Sequence, residues 1–343
     1  MKVYREGLWA ERREGDNFSI GCWPEEGTEV FRGPQFAKIM GKYVGYPLRV
    51  MAERGAEVVH FLDHSSGFLI PKVSRQAKVV VTLHDLIPLR TPEEFPGRQL
   101  PRFRRSVSRL READALISVS EYSKRECVEL LGVDDSRIHV IPNGVSPPPG
   151  DSLESCPEVM KLRGEGAQVV VLSVGSVQAR KNLKILPEAL SLFEEQSGLK
   201  VGLLRVGEPL APDLAKAISE VCGERFIIEA GRLSERALWQ CYASCDIVFI
   251  PSFYEGFGLP VVEALACGTA VVASNRASLI EVGGQTVDYF NPDSAAEAAQ
   301  ALVRVAKDGD DEKMASRRRE AVRKLTWRNH LEGVFGVYEG LLS

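Results

Sequence analysis

The sequence predicts an α/β protein built from two doubly wound, Rossmann-like domains facing each other across a cleft. Three observations carry this. Short apolar, β-branched runs alternate with longer helical patterns along the whole chain, the spacing of βαβ units. Those runs show little polar alternation, as strands buried on both faces of a parallel sheet do. The 343 residues exceed what one core normally organises.

Taken in order, the opening MKVYREGLWAERREG reads as a helix, followed by strands at FSIGCW (18–23), EVVHFL (57–62), KVVVTL (78–83), ALISV (115–119) and RIHVI (137–141). Residues 98–111, RQLPRFRRSVSRLR, place six arginines over an apolar stripe of Phe103, Val107 and Leu110. Two readings stay open: a membrane-surface helix, or a solvated basic face whose stripe packs on the first sheet, favoured because arginine stems cover surface readily. In PNGVSPPPGDSLESCPEV (142–159), Pro142, Pro147, Pro148 and Pro149 fall within eight residues. Regular structure is excluded there, so the segment predicts a linker between a first domain, 1–150, and a second, 151–326.

Second-domain strands are expected at VVVLSVG (169–175), KVGLLRV (200–206), RFIIE (225–229), DIVFI (246–250), TAVVAS (269–274) and TVDYF (286–290). The final LTWRNHLEGVFGVYEGLL (325–342) has Trp327, His330, Leu331, Val334, Val337, Tyr338 and Leu341 at helical spacing. The helix over 327–343 either closes the second domain or crosses back onto the first.

Composition narrows the function classes. At 44% hydrophobic, 26% charged and net charge −4, the chain is an ordinary globular one with no basic field for nucleic acid. No run reaches the ~20 apolar residues of a membrane span. The N-terminus lacks the apolar core of a signal peptide. Seven irregularly spaced cysteines suggest a reducing compartment, so the expected location is cytoplasmic, soluble or at most peripheral to the inner membrane face. Cys241 and Cys245 would share a helix face without the four ligands zinc normally recruits. DGDD (308–311) reads as a solvated loop, and no metal site is expected.

The chemistry concentrates in DIVFIPSFYEGFGLPVVEALACGTAVVAS (246–274). A strand runs into a loop, Leu259 or Pro260 opens a helix VVEALAC, and Gly268 stops it. Gly256, Phe257 and Gly258 thus present free amides at a helix N-terminus, a cradle for an anion or hydroxyls. Two carboxylates bracket the loop: Glu255, and Glu263 after seven intervening residues. Asp63 and His64 in FLDHSSG, and His84 and Asp85 in VTLHDLIPL, lie just past strand ends, where ligands of such sheets sit.

This stretch resembles the signature of retaining glycosyltransferases of family 4, the group 1 or mannosyltransferase-like enzymes of GT-B fold. The likeness extends through LSVGSVQARKNLKILPEAL (172–190), VTLHDLIPL (81–89) and SVSEYSKRECVELLGVDDSRIHVIPNGV (118–145), and covers nearly all of 56–343. It implies a hexosyl transfer, without metal or cofactor, from a GDP- or UDP-linked sugar to a glycan, lipid-linked or small-molecule acceptor. By the same resemblance Glu255 contacts the transferred sugar, Glu263 grips the nucleotide ribose, and Lys181 meets the diphosphate with Arg180 as second donor. Gly175, Ser176, Gly256, Phe257, Gly258 and Leu259 then line the donor, Leu233 lies near the base, and His84 sits at the donor–acceptor junction.

Two departures from the family pattern stand out. Many relatives have Gly-Arg where this chain has Gly175-Ser176. The family's opening strand also reads as absent or upstream of Met1, which would expose a neighbouring strand edge. Two other functions fit parts of the pattern: a non-catalytic nucleotide-sugar binder, and a glycoside hydrolase pairing Glu255 with Glu263. The hydrolase would not need the Arg180–Lys181 phosphate site, and donor binding without turnover would identify the binder.

Overall fold

The computed structural model describes residues 46–52, 55–73, 75–146, 153–308 and 312–343. The expected helix at the N-terminus, the FSIGCW strand, the absent opening strand, Cys22, the prolines at 147–149 and most of DGDD lie outside them. In chain order the elements are α1 (Tyr46–Ala52), β1 (Val58–Phe61), β2 (Lys78–Leu83), α2 (Ile87–Arg90), α3 (Gln99–Val107), β3 (Ala115–Ser118), α4 (Glu121–Leu131) and β4 (Ile138–Val140). Then follow α5 (Pro157–Gly164), β5 (Val169–Gly175), α6 (Leu186–Ser197), β6 (Val201–Gly207), α7 (Pro212–Cys222), β7 (Ile227–Gly231), α8 (Glu235–Ser244) and β8 (Ile247–Ile250). The chain ends with α9 (Leu259–Cys267), β9 (Ala270–Ser274), α10 (Leu279–Gly283), β10 (Asp288–Phe290), α11 (Ala295–Asp308), α12 (Glu312–Val322) and α13 (Trp327–Leu342).

The chain divides into two units. One runs to Gly144 and includes Trp327–Ser343; the other is Val145–Thr326. The first holds a parallel sheet in the order β1-β2-β3-β4. Side-chain alternation sends Val79, Val81, Leu83 and Leu116 to a core under α3 and α4, and Val80, Ala115 and Ile117 to a second core against Val334 and Val337 of α13. Both faces are therefore covered, which is why these strands read as continuous apolar runs.

The stripe of α3 is consumed by the first of these cores: Val107 and Leu110 are buried and Phe103 packs against it. The arginines of α3 are exposed, as the solvated-face reading expects.

The last helix thus belongs to the first unit, and polar contacts pin it there. Tyr338 Oη lies 2.6 Å from His60 Nδ1, whose Nε2 is 2.8 Å from Thr82 Oγ1. His330 Nδ1 donates to the carbonyl of Pro142 at 2.7 Å. Gly333 is needed for the approach, since a Cβ there would stand 3.0 Å from Ile141.

The second unit has six parallel strands in the order β10-β9-β8-β5-β6-β7. From β5 the chain moves outward one way to β6 and β7, and from β8 the other way to β9 and β10. The carboxyl ends of β5 and β8 therefore flank the switch point where doubly wound sheets place ligands.

Two strands differ from the sequence expectation. Glu224–Phe226 winds into a 3-10 turn after Gly223, at φ +89°, and pushes β7 to 227–231. Only Asp288–Phe290 of TVDYF pairs with β9.

Burial pushes His60 down to about 3, and His84 and His330 down to about 4. Unfolding releases them to bind protons near pH 6.5, so the unfolded chain holds more protons between pH 6.5 and about 4, and stability falls as pH falls through that window. Urea unfolding is expected to show a lower free energy at pH 5 than at pH 7, with a shallower decline for His84→Gln. Equal slopes in the two proteins would contradict this.

Candidate functional site

The site in the second unit grows from two loops that leave neighbouring strands. After β5, residues 176–182 end in a 3-10 turn, Ala179–Lys181, closed by Asn182 in the left-handed region at φ 54°. Asn182 Nδ2 ties that turn to the carbonyl of Pro292 at 2.8 Å. After β8, residues 251–258 lead into α9 through Gly258 at φ +97°, where a Cβ would press on Leu279 at 2.9 Å. The two loops are bonded to each other: Phe253 N–H donates to the Arg180 carbonyl at 2.8 Å, and Arg180 Nη1 to the Tyr254 carbonyl at 3.2 Å. Ser278 Oγ donates to the Glu255 carbonyl at 2.8 Å, and Ser274 Oγ to that of Ser252.

This framework concentrates charge at one point. Glu255 is 8% exposed. Its Oε1 accepts from Lys181 Nζ at 2.6 Å and from Ser252 Oγ at 2.7 Å, and its Oε2 from Arg180 Nη1 at 3.3 Å. Burial alone would raise its carboxyl, but the Lys181 and Arg180 charges, with hydrogen bonds from Lys181 and Ser252, hold it below the usual value. Two cations around one carboxylate leave the group with a net positive charge. That suits a site that receives an anion.

The structure brings Arg180, Lys181 and Glu255 together, with Gly175 beside them. A Cβ on Gly175 would lie 3.7 Å from Lys181 Nζ, and its φ of +124° favours glycine. Ser176 follows, its Oγ on Gln178 Oε1 at 3.2 Å. Gly256 is half-buried, Phe257 is buried beneath the loop, and Leu259 opens α9.

Glu263, one turn into α9, accepts from the buried Tyr242 Oη of α8 at 2.7 Å. Burial raises its carboxyl, the Tyr242 bond lowers it in part, and the Glu235 charge raises it again. Leu233 is half-buried in the turn between β7 and α8. Ser252 and Tyr242, which sequence reasoning missed, are the partners that orient the two glutamates. Neither stood out in the sequence, apart from Ser252 lying three residues before Glu255 on the same loop.

The first-unit candidates form their own cluster. Asp63 caps the following turn, accepting from Ser65 N–H at 2.6 Å. His64 Nδ1 accepts from His84 N–H at 3.3 Å, and His84 Nε2 donates to the Leu62 carbonyl at 2.9 Å. Asp85 Oδ1 takes the Ile87 N–H at 3.0 Å and shapes the start of α2. Asp63 and Asp85 thus serve the local backbone, while burial keeps His84 neutral at physiological pH.

Among the described residues, Cys156, Glu158 and Cys241 place three potential ligand atoms within 4.8 Å of one another. Cys241 pairs with Cys156, at 3.3 Å, and not with Cys245, whose thiol meets the Tyr242 carbonyl. The set is one ligand short of zinc's usual four.

Comparison with known proteins agrees with both units. Residues 160–325 match the family model for glycosyl transferases group 1, and residues 9–147 that for glycosyltransferase family 4. The chain is 27% identical over 285 residues to O-antigen chain mannosyltransferase B of Escherichia coli, covering 81% of this chain and 74% of that one. It is 29% identical over 312 residues to D-inositol 3-phosphate glycosyltransferase of Xylanimonas cellulosilytica, covering 85% and 74%. Its fold resembles that of Anabaena HepE, crystallised with UDP and glucose, at TM-score 0.69 and 20% identity over 88% of this chain and 83% of that one.

Lys181→Met would leave Glu255 buried with Arg180, at 3.3 Å, as its remaining cation, and is expected to lower stability on the order of 3 kcal/mol. Adding Glu255→Gln should recover most of that loss, because a neutral amide needs no counter-charge. Additive losses in a double-mutant cycle would show that the pair is not coupled.

Proposed function

The chain belongs to the family 4, group 1 glycosyltransferases of GT-B fold, and from that premise we propose that it moves a hexosyl unit, with retention and without metal, from a nucleoside-diphosphate sugar to a glycan, lipid-linked or small-molecule acceptor. The observation that carries the reading is the Lys181–Glu255–Arg180 group at the switch point of the second sheet. A departing diphosphate gains charge as the glycosidic bond breaks, and two preorganised cations beside a glycine-bordered loop supply the counter-charge. The mannosyltransferase relatives favour GDP-mannose as donor, and the UDP held by HepE supports UDP-sugars as the alternative.

In this mechanism the acceptor hydroxyl attacks the anomeric carbon on the face the diphosphate leaves. The bond from that carbon to the phosphate oxygen breaks, and the hydroxyl proton passes to the departing phosphate. Lys181 and Arg180 turn from Glu255 toward the phosphates. Glu255, relieved of its cations, accepts sugar hydroxyls. Glu263, already aligned by Tyr242, offers its second oxygen to the ribose diol. By the family resemblance His84, held neutral by burial, takes the part of the histidine that meets the sugar.

The test is transfer from GDP- and UDP-sugars to a panel of glycan and lipid-linked acceptors, with the anomeric product read by NMR. Lys181→Ala should cut kcat about 10²–10³-fold, and a chelator should leave the rate unchanged. Inverted product or chelator-sensitive turnover would contradict the respective part of the mechanism. Nucleotide-independent sugar release would point to the hydrolase instead.

A further inference from the structure

An arginine stands where a buried strand would ordinarily carry an aliphatic residue. Arg205, in the middle of VGLLRVG of β6, is 1% exposed, and among the described residues no carboxylate lies within hydrogen-bonding reach of it. Its guanidinium instead collects carbonyls: Nη1 donates to Ser173 at 3.1 Å and Val206 at 2.8 Å, Nη2 to Gly175 at 2.5 Å and Ser176 at 3.1 Å. Among the described residues its Nε has no partner. Burying a cation this way is expensive, and burial lowers the Arg205 pKa although Glu229 and Glu208 act to raise it. A core whose only task was packing would be better served by leucine.

The carbonyls it gathers belong to the end of β5 and the loop beside Lys181. In a trans peptide the N–H points opposite to the C=O. Holding the Gly175 and Ser176 carbonyls inward therefore turns the amides of Ser176 and Val177 outward. The backbone is built for this arrangement. Gly175 and Gly207 pair across β5 and β6, both at φ +124°, and a side chain on Gly207 would overlap the Gly175 carbonyl. That carbonyl also receives the Glu208 N–H at 3.1 Å.

An independent observation shows that the outward edge takes anions. Val177 N–H donates to the carboxylate of Glu208, Oε2, at 3.2 Å. Glu208 is 43% exposed there, and its other oxygen lies 3.8 Å from the exposed Arg232. A surface carboxylate already occupies the Val177 amide of that edge.

We infer that Arg205 is a positioning residue for the donor: it turns the Ser176–Val177 amide edge outward as a receptor for the donor's phosphates, and Glu208 occupies that edge until the donor displaces it. This rests on the reading of the protein as a nucleoside-diphosphate-sugar enzyme. Arg205 acts through the loop, whereas Lys181 would touch the phosphates directly. Glu208 makes donor binding a competition between two anions for the same amide.

The test is calorimetric titration of the full chain with UDP and GDP, each compared with its nucleoside, alongside melting temperatures. Arg205→Met should weaken the diphosphate on the order of tenfold while changing nucleoside affinity less than twofold, with Arg205→Lys in between. A purely structural role would move both ligands together or neither, and either result overturns the inference. Should Arg205→Met fail to fold, Glu208→Ala decides on its own. It should tighten the diphosphate several-fold and leave the nucleoside alone; unchanged or weaker diphosphate binding overturns the inference. If wild type binds neither diphosphate, the donor reading falls and the inference with it. Normal wild-type binding with unaffected variants removes the inference alone.

Discussion

The contact on which the proposed chemistry of the second unit rests is the carboxylate of Glu255 between Lys181 and Arg180. A carboxylate at 8% exposure is stable as an anion only because cations and a hydroxyl replace the water it has lost. Its contribution to stability is present above the unfolded-state value and is lost as pH falls through its depressed folded value. The same arrangement keeps side by side two cations that would otherwise repel each other. Glu255 therefore acts as a resident counter-ion, which a ligand of higher negative charge can replace.

Topology places this group. Because β5 and β8 are neighbours whose connections run in opposite directions, their carboxyl-end loops meet with no crossover passing over them. Backbone bonds between Phe253 and Arg180, and the hydroxyls of Ser274 and Ser278, then fix the two loops as one piece. Charge position is set by main chain, not by long flexible side chains alone. Such preorganisation makes electrostatic stabilisation effective without reorganisation during the reaction.

The sequence made the inner strands legible because both their faces are buried: KVVVTL and VVVLSVG match β2 and β5 residue for residue. Helix α9 was legible from its punctuation, with Leu259 and Pro260 at one end and Gly268 in the left-handed region at the other. RFIIE misled because Phe226 looks like strand yet fills the core from a 3-10 turn. Where the last helix docks was open in sequence, since an amphipathic helix states that it packs and not on what. His60 and Tyr338, 278 residues apart, settle it. Tyr242 as partner of Glu263 is likewise a tertiary fact, invisible to spacing. Arg205 did leave a trace, as the lone charge inside an apolar strand.

The cations now engaged by Glu255 are proposed to form the seat of the donor's diphosphate. The most direct measurement is a crystal structure of the chain with an unhydrolysable nucleoside-diphosphate sugar. Phosphate oxygens are expected within hydrogen-bonding distance of Lys181 Nζ, with the Lys181–Glu255 contact opened and the sugar against Glu255. A nucleotide bound elsewhere, with the Lys181–Glu255–Arg180 group intact, would contradict this assignment.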